Sequence, residues 1–427
     1  MKRQFLAAAS AAMLAGLAQG TALAQPVETA SAPAAGGERD VGVMDRPRPD
    51  YDAQGLLWGA FVVLPRLTTT VDFDDNVYAT PQKVSDTVLQ FQPEVTVRSD
   101  WSRNAVEAYA RASVNDYLSH GTENTTDVLV RGSGRYDLGE ASNLNASAQY
   151  GWLTEPRYST NITQSVRNPV QYRQGELHLG GVLALDRVRL VGDVRVDDYR
   201  FDNNVDGTGA FVLEQDQDRT EWVESARAEY AYSLDTALFV SGSLNQRSYR
   251  LQPPASAFDR DATGFNLAAG ARLDLTHLMR GEFQVGYLKE DYSSSVFRSV
   301  SGVSLDGRVN FFVTPLTTVV VTADRSVGDA ADPRSSGYVT TNGGVEVDHE
   351  LRRNVILLGR VFYAHDDYHG IDRADDRWSL RVGGNYLINR NLGVSLYVDH
   401  IDIASSGVDR LNGYQVNQVL LSLVLQR

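Results

Sequence analysis

From about residue 64 to the last residue, apolar and polar side chains alternate with a period of two, segment after segment. Val303, Leu305, Val309, Phe311 and Val313 fall on one parity, and Ser304, Asp306, Arg308 and Asn310 on the other. Val188, Leu190, Val194 and Val196 alternate likewise with Arg189, Asp193, Arg195 and Asp197, and Leu392, Val394, Leu396 and Val398 with Gly393, Ser395 and Asp399. Successive side chains of a strand point to opposite faces, so each such segment reads as a β-strand with one apolar and one polar side. Beyond the amino terminus no apolar run approaches the roughly 18 residues of a membrane helix.

About 18 such segments can be drawn, near 64–74, 86–98, 103–118, 125–138, 142–153, 171–184, 187–201, 221–232, 237–250, 263–275, 280–291, 302–313, 317–326, 336–350, 354–366, 376–388, 391–402 and 414–426. Their connections alternate in length. Short turns at 100–102, 139–141, 185–186, 234–235, 276–278, 314–315, 351–353 and 389–390 are interleaved with longer polar stretches such as 75–85, 154–170, 202–220, 251–262, 366–375 and 403–413. Neither a sandwich nor a propeller predicts this two-beat rhythm. An all-β, transmembrane, antiparallel up-and-down β-barrel does, with short periplasmic turns and long extracellular loops. Lipid offers no hydrogen-bond partners, so every strand edge must close, and closure leaves an apolar outer and a polar inner face. Tyr136, Tyr150, Trp152, Trp222, Tyr230, Tyr232, Tyr287, Trp378 and Tyr386 lie where strand ends would meet the two membrane interfaces. The final strand alternates through Val419, Leu421, Leu423 and Leu425 but ends Gln426-Arg427, without a terminal aromatic residue.

Residues 1–24 read as a signal peptide: Lys2 and Arg3, an apolar run, then Ala22-Leu23-Ala24. The domain reading is a signal peptide over 1–24, a periplasmic Pro/Ala/Gly-rich segment over 25–63 and an outer-membrane barrel over 64–427. There is no cysteine, so disulfides play no part. The net charge of −14 argues against nucleic acid as a partner. Within 25–63, the stretch GVMDRPRPDYDAQGLLWGAF (42–61) is either a linker that delivers the first strand or a periplasmic arm that folds into or under the pore.

The stretch RPRPDYDAQGLLWGAFVVLPRLTTTVDFDDNVYAT (46–80), followed by a strand and the turn SDWSRN (99–104), resembles the putative β-barrel porin 2 family of Gram-negative bacteria. The resemblance implies a porin-like barrel of the bacterial outer membrane with no catalytic residues. Some members look like companions of exopolysaccharide or adhesin export machinery, which implies a route without naming a substrate. The implied partners are outer-membrane lipid and lipopolysaccharide, the barrel-assembly machinery and periplasmic polysaccharide-export components.

An enzyme is not expected. No GxSxG elbow, phosphate loop or HExxH motif occurs, and only His365 and His369 are close among scattered histidines. No cofactor or metal is expected. VDFDDNVYAT (71–80) has the 1-3-5 spacing of a calcium loop at Asp72, Asp74 and Asn76, but Val77 and Lys83 stand where that loop requires Gly and Glu.

Read inward, the polar parity carries Arg98, Arg111, Arg131, Arg135, Arg189, Arg195, Arg227, Arg247, Arg272, Arg308, Arg360 and Arg381, with Glu107, Asp127, Asp193, Asp197, Asp274, Glu282 and Asp306. A charge facing lipid near the midplane would cost about 2–4 kcal/mol, which directs them to the interior. Two roles are open: cross-strand ion pairs within the wall, or guanidinium ladders that attract anionic solutes. The external loops read as acidic, through Asp202, Asp206, Glu214, Asp216 and Asp218 in one and Asp366, Asp367, Asp372, Asp375 and Asp376 in another. Acidic outside and basic within fits an anionic polymer moving outward. The expectation is therefore a conduit for export of an anionic exopolysaccharide or adhesin polysaccharide, against a passive diffusion porin or a plugged structural or adhesive barrel.

Overall fold

The computed structural model describes residues 41–159, 166–256, 258–275 and 278–427. The expected signal peptide and residues 25–40 lie outside the described residues. The barrel strands are β1 (Phe61–Asp74), β2 (Asp86–Ser99), β3 (Ala105–Tyr117), β4 (Thr125–Asp137), β5 (Asn143–Thr154), β6 (Gln171–Leu185), β7 (Val188–Phe201), β8 (Arg219–Ala231) and β9 (Thr236–Tyr249). They continue as β10 (Ala262–Leu275), β11 (Met279–Tyr292), β12 (Val300–Thr314), β13 (Thr317–Gly328), β14 (Gly337–Arg352), β15 (Val355–His369), β16 (Ala374–Asn389), β17 (Leu392–Ser406) and β18 (Tyr414–Gln426). Each pairs antiparallel with the next, and β18 returns to β1 from Arg66↔Gln426 to Asp74↔Gln418, closing an 18-strand barrel. A barrel of this size leaves an aqueous interior.

Closure explains the alternation. On β1 the even positions Thr68, Thr70, Asp72 and Asp74 are buried against the interior, while Phe73 is exposed on the outside. The registers carry this parity around the ring, with shifts only beside short turns, at Phe312–Thr314, Glu350–Arg352 and Leu387–Asn389, and all the aromatic residues expected at the interfaces are exposed on the outer face. Two glycines make room in the wall for an inward ring from the neighbouring strand. A Cβ on Gly270 would lie 2.5 Å from the Phe239 ring, and one on Gly383 2.5 Å from the Tyr397 ring. The Arg227 guanidinium stacks 3.5 Å over Phe239 in turn.

The seam between β1 and β18 has its own device. β18 ends opposite Arg66, so residues 61–65 of β1 would show a bare edge there. The short strand Leu56–Trp58 turns back through Gly59-Ala60 and pairs with Phe61–Val63, covering most of that edge. Gly59, at φ +61, permits the tight reversal.

The short turns, residues 41–60 and the carboxyl end lie at one rim, the periplasmic one by parity, and the longer connections at the other. One expected loop is much shorter than predicted. β15 runs to His369 and β16 starts at Ala374, so Asp366, Asp367, Asp375 and Asp376 are strand residues and only Asp372 of that set lies in the connection. The strands continue past the apolar band, where polar alternation no longer marks a boundary.

Candidate channel lumen and its two mouths

The registers place Arg98, Arg111, Arg131, Arg135, Arg189, Arg195, Arg227, Arg247, Arg272, Arg308, Arg360 and Arg381 on the inner face, together with Glu107, Asp193 and Asp306. Arg66, Arg219, Arg280 and Arg377 share that face and were not singled out by sequence, although their parity marks them equally. Most are tied to carboxylates of the same wall. Glu229 gathers Arg189 (3.3 Å), Arg227 (2.8 Å) and Arg272 (3.4 Å), and Arg227 also pairs with Glu282 at 3.0 Å. Arg195 meets Asp197 at 2.9 Å, Arg135 meets Asp137 at 2.9 Å, Arg280 meets Asp274 at 3.0 Å, and Arg381 meets Asp399 at 2.5 Å. Arg360 pairs with Glu346. Among the described residues, Arg111, Arg131 and Arg308 make no such pair, and the last two are exposed within the barrel.

The carboxylates tell the opposite story. Asp127, Asp306, Asp324, Glu290, Asp72 and Asp74 are held by neutral donors instead: Thr154, Gln284, Ser326 and Asn342, Asn245, and Gln418. Across the inner wall carboxylates outnumber guanidiniums, so the uncommitted charge is mainly negative. The guanidinium ladder expected to draw anions is largely neutralised by cross-strand pairing.

At the periplasmic mouth, residues 41–55 form a strap along the inside of the rim. Val43, fully buried, donates its N–H to Thr318 Oγ1 of β13 at 3.0 Å. Arg46 and Arg48, 8% and 5% exposed, both reach Glu350 of β14, at 3.4 and 3.1 Å. Burial lowers the pKa of Arg48, opposed by Glu350, but guanidinium remains charged. Arg390 donates to the Pro49 carbonyl at 2.8 Å and Gln426 to that of Tyr51 at 3.2 Å, which carries the strap to the seam. Within 42–61, residues up to 55 lie against the inner rim and Leu56–Phe61 belong to the hairpin on the β1 edge.

At the external mouth the loops fold inward. The acidic β7–β8 connection buries Glu214, Gln217 and Asp218, leaving Asp202 and Asp206 outside. Arg157 of the β5–β6 connection grips Glu123 with two bonds, 2.8 and 2.9 Å. Tyr158 then packs against Ala79 of the β1–β2 connection and Ile401, Ile403, Tyr414 and Val416 of β17 and β18. Glu155 of the same loop is pushed up to about 8 by burial and by Glu214, opposed by Arg219. These loops seat on apolar residues of the inner parity, such as Tyr199, Phe201, Ile401, Ile403, Tyr414 and Val416. An apolar residue at an inward position near an external strand end is the sequence signal that would have found them.

VDFDDNVYAT completes the seam. Asp74 accepts the Asn76 N–H, Asn76 binds the Thr80 and Gln415 carbonyls, and Asp75 accepts from Asn417 and ion-pairs with Lys83 at 2.6 Å. No group of three or more His, Asp or Glu suited to a metal occurs among the described residues, and His365 is engaged with Asp376 at 2.8 Å.

A family model described as "Putative beta-barrel porin 2" matches residues 48–427. Among curated proteins nothing matches. Solved structures with similar folds include the outer membrane protein OpdK of Pseudomonas aeruginosa, 11% identical, with 86% of this chain and 99% of that one covered and a TM-score of 0.44. The ferric enterobactin receptor PfeA of the same organism is 8% identical, covering 88% and 81% with a TM-score of 0.46. The siderophore receptor PirA, also from that organism, is 9% identical, covering 90% and 81% with a TM-score of 0.45.

Proposed function

The chain belongs to the putative beta-barrel porin 2 family, and on that premise we propose that it is an outer-membrane channel through which small polar solutes diffuse, neutral and cationic ones most readily. The observation that supports this most is the inner wall. Its arginines are largely cancelled in place, and the remaining charge is carboxylate, so the field along the path disfavours anions. No catalytic role is assigned to any residue.

Export of an anionic polysaccharide is the second reading. Arg111, Arg131 and Arg308 support it as uncommitted guanidiniums, and the strap lies where a polymer or a periplasmic export component would arrive. A few scattered cations, Arg111, Arg131, Arg308 and Arg377, among many carboxylates make a weak ladder, and diffusion is the better-supported reading. Reconstituted protein should swell liposomes in isosmotic neutral sugar and give discrete conductance steps in a planar bilayer. Folded barrel that does neither would instead be structural. Arg111, Arg131 and Arg308 changed together to Glu should leave sugar flux intact; loss of acidic-polymer secretion in cells carrying that variant would favour export.

A further inference from the structure

The β13–β14 connection differs from the other external loops in reaching across the barrel on a charge. From Asp329 to Ala331 it is buried, Ala330 completely. Asp329 has left its own strands and lies among residues of β8, β9 and the β9–β10 connection. Its carboxylate meets Arg260 at 3.2 Å, Arg219 at 3.4 Å and Arg247 at 3.7 Å, and accepts the Tyr249 hydroxyl. Arg260 also donates to the Ala330 carbonyl, which fixes the backbone beside the carboxylate. The site is built, because Arg219 is itself held to Glu221 at 2.7 Å and stacked 4.4 Å over Tyr199, while Arg260 stacks 4.6 Å over Tyr249. β9 stands four strands from β13, about 20 Å along the wall at about 4.8 Å per strand. Ser326–Gly328 at the end of β13 pair with β14 alone, so the tip of this strand pair leans inward past β12 and long arginine side chains from β8, β9 and the β9–β10 connection close the remaining gap.

The return is fixed as well. Ser335 bonds the Gly337 and His369 carbonyls at 3.0 and 2.9 Å, and Arg334 ties to Asp409 of the β17–β18 connection at 2.9 Å. Gly337, at φ +146, brings the chain back into β14 with a conformation that a side chain would strain. Several arginines around one loop carboxylate are more than folding of the wall needs, since the wall closes without this loop.

We propose that the β13–β14 loop is the constriction that sets the size limit of the channel, and that Asp329 is the positioning residue that holds it across the external mouth. The inference rests on the channel reading above. A solute entering from outside passes between this loop and the opposite wall, where Tyr158 and its apolar seat narrow the mouth from the other side.

The test compares single-channel conductance, and the smallest polyethylene glycol that no longer lowers it, for full-length wild type and two variants. Asp329→Asn removes the charge that holds the loop. A second variant replaces residues 329–337 by an Asn-Gly hairpin turn and carries Arg260→Gln, so its folding does not depend on the latch. Both are checked for barrel folding by heat-modifiable mobility. The expected result is higher conductance and a shift of the polymer cut-off to larger mass in both, with the larger shift in the loop-shortened chain. Wild-type conductance and cut-off retained in a folded loop-shortened chain would overturn the constriction. A shift there but none in Asp329→Asn would overturn the role of Asp329. If no protein, wild type included, conducts, the channel reading fails and this inference falls with it.

Discussion

The two mouths of the barrel are narrowed by different chemistry. Outside, connections from several strand pairs converge and are held by apolar clusters together with a carboxylate shared among Arg219, Arg247 and Arg260. On the periplasmic side one strap lies along the rim, and its buried charge is matched chiefly by Glu350. A mouth held by many independent ties should lose them one at a time, whereas a strap whose buried charge centres on one carboxylate should loosen as a unit when that carboxylate is lost.

The sharpest way to break this contrast is Glu350→Gln, which leaves two buried guanidiniums without their counter-ion. Removing one partner of a buried pair costs about 3–5 kcal/mol. Amide exchange at Asp45, Tyr51 and Asp52, whose N–H groups bond within the strap, should rise sharply while the strands stay protected. Unchanged protection would mean that the strap is held elsewhere. At the outer mouth, Tyr158→Ala should loosen only its own loop, by about 2 kcal/mol for a half-buried aromatic. Faster exchange confined to the β5–β6 connection is the expected readout, and loss of protection in the β13–β14 loop as well would show that the external ties are not independent.

Acidity should divide the external mouth against itself. Burial opposes ionisation of Asp329, but Arg219, Arg260 and Arg247 and the Tyr249 hydroxyl hold its carboxyl down to about 2. Its contribution is therefore full above the ordinary carboxylate range near 4 and is lost as pH falls toward 2. Asp216 also lies in this network and shares the Arg260 field. Glu155, raised to about 8, has the reverse sign, since its loop docks best when protonated and weakens as pH rises from about 4 to about 8. The change should be about 2 kcal/mol for Asp329 and about twice that for Glu155. Proteolysis of the β5–β6 connection that increases with pH, with the β13–β14 loop steady above pH about 4, is the expected pattern. The same trend in both loops would remove Glu155 from the account. The smallest effect belongs to the exposed pair Arg390–Asp50, 4.0 Å apart, where Arg390→Ala should change strap protection by less than about 1 kcal/mol.

Much of the barrel could be read from parity alone. Val303 to Val313 and Leu392 to Val398 declare strands with one apolar face, and the alternation of short turns and long connections makes that face a membrane wall. Arg111 and Arg360 were legible as inward for the same reason. Their opposite fates, Arg111 without an ion pair and Arg360 bound to Glu346, were not, because pairing depends on register between strands, which one strand's sequence does not contain. Nor did the sequence show Asp329 meeting Arg219 or Tyr158 meeting Ile401. Those contacts cross the interior between residues brought together only by closure, and a polar loop looks alike whether it folds outward or in. Asp366 and Asp375 look like loop residues in sequence because polar alternation above the lipid band resembles a connection, yet both lie on strands.

The sign of the uncommitted charge along the path decides which ions pass, and the reversal potential of the reconstituted wild-type channel in a potassium chloride gradient measures it most directly. A wall whose arginines are paired and whose free groups are carboxylates predicts a potential on the potassium side, weakening as salt rises. A chloride-side potential would contradict it and return Arg111, Arg131 and Arg308 to the centre of an anion-conducting channel.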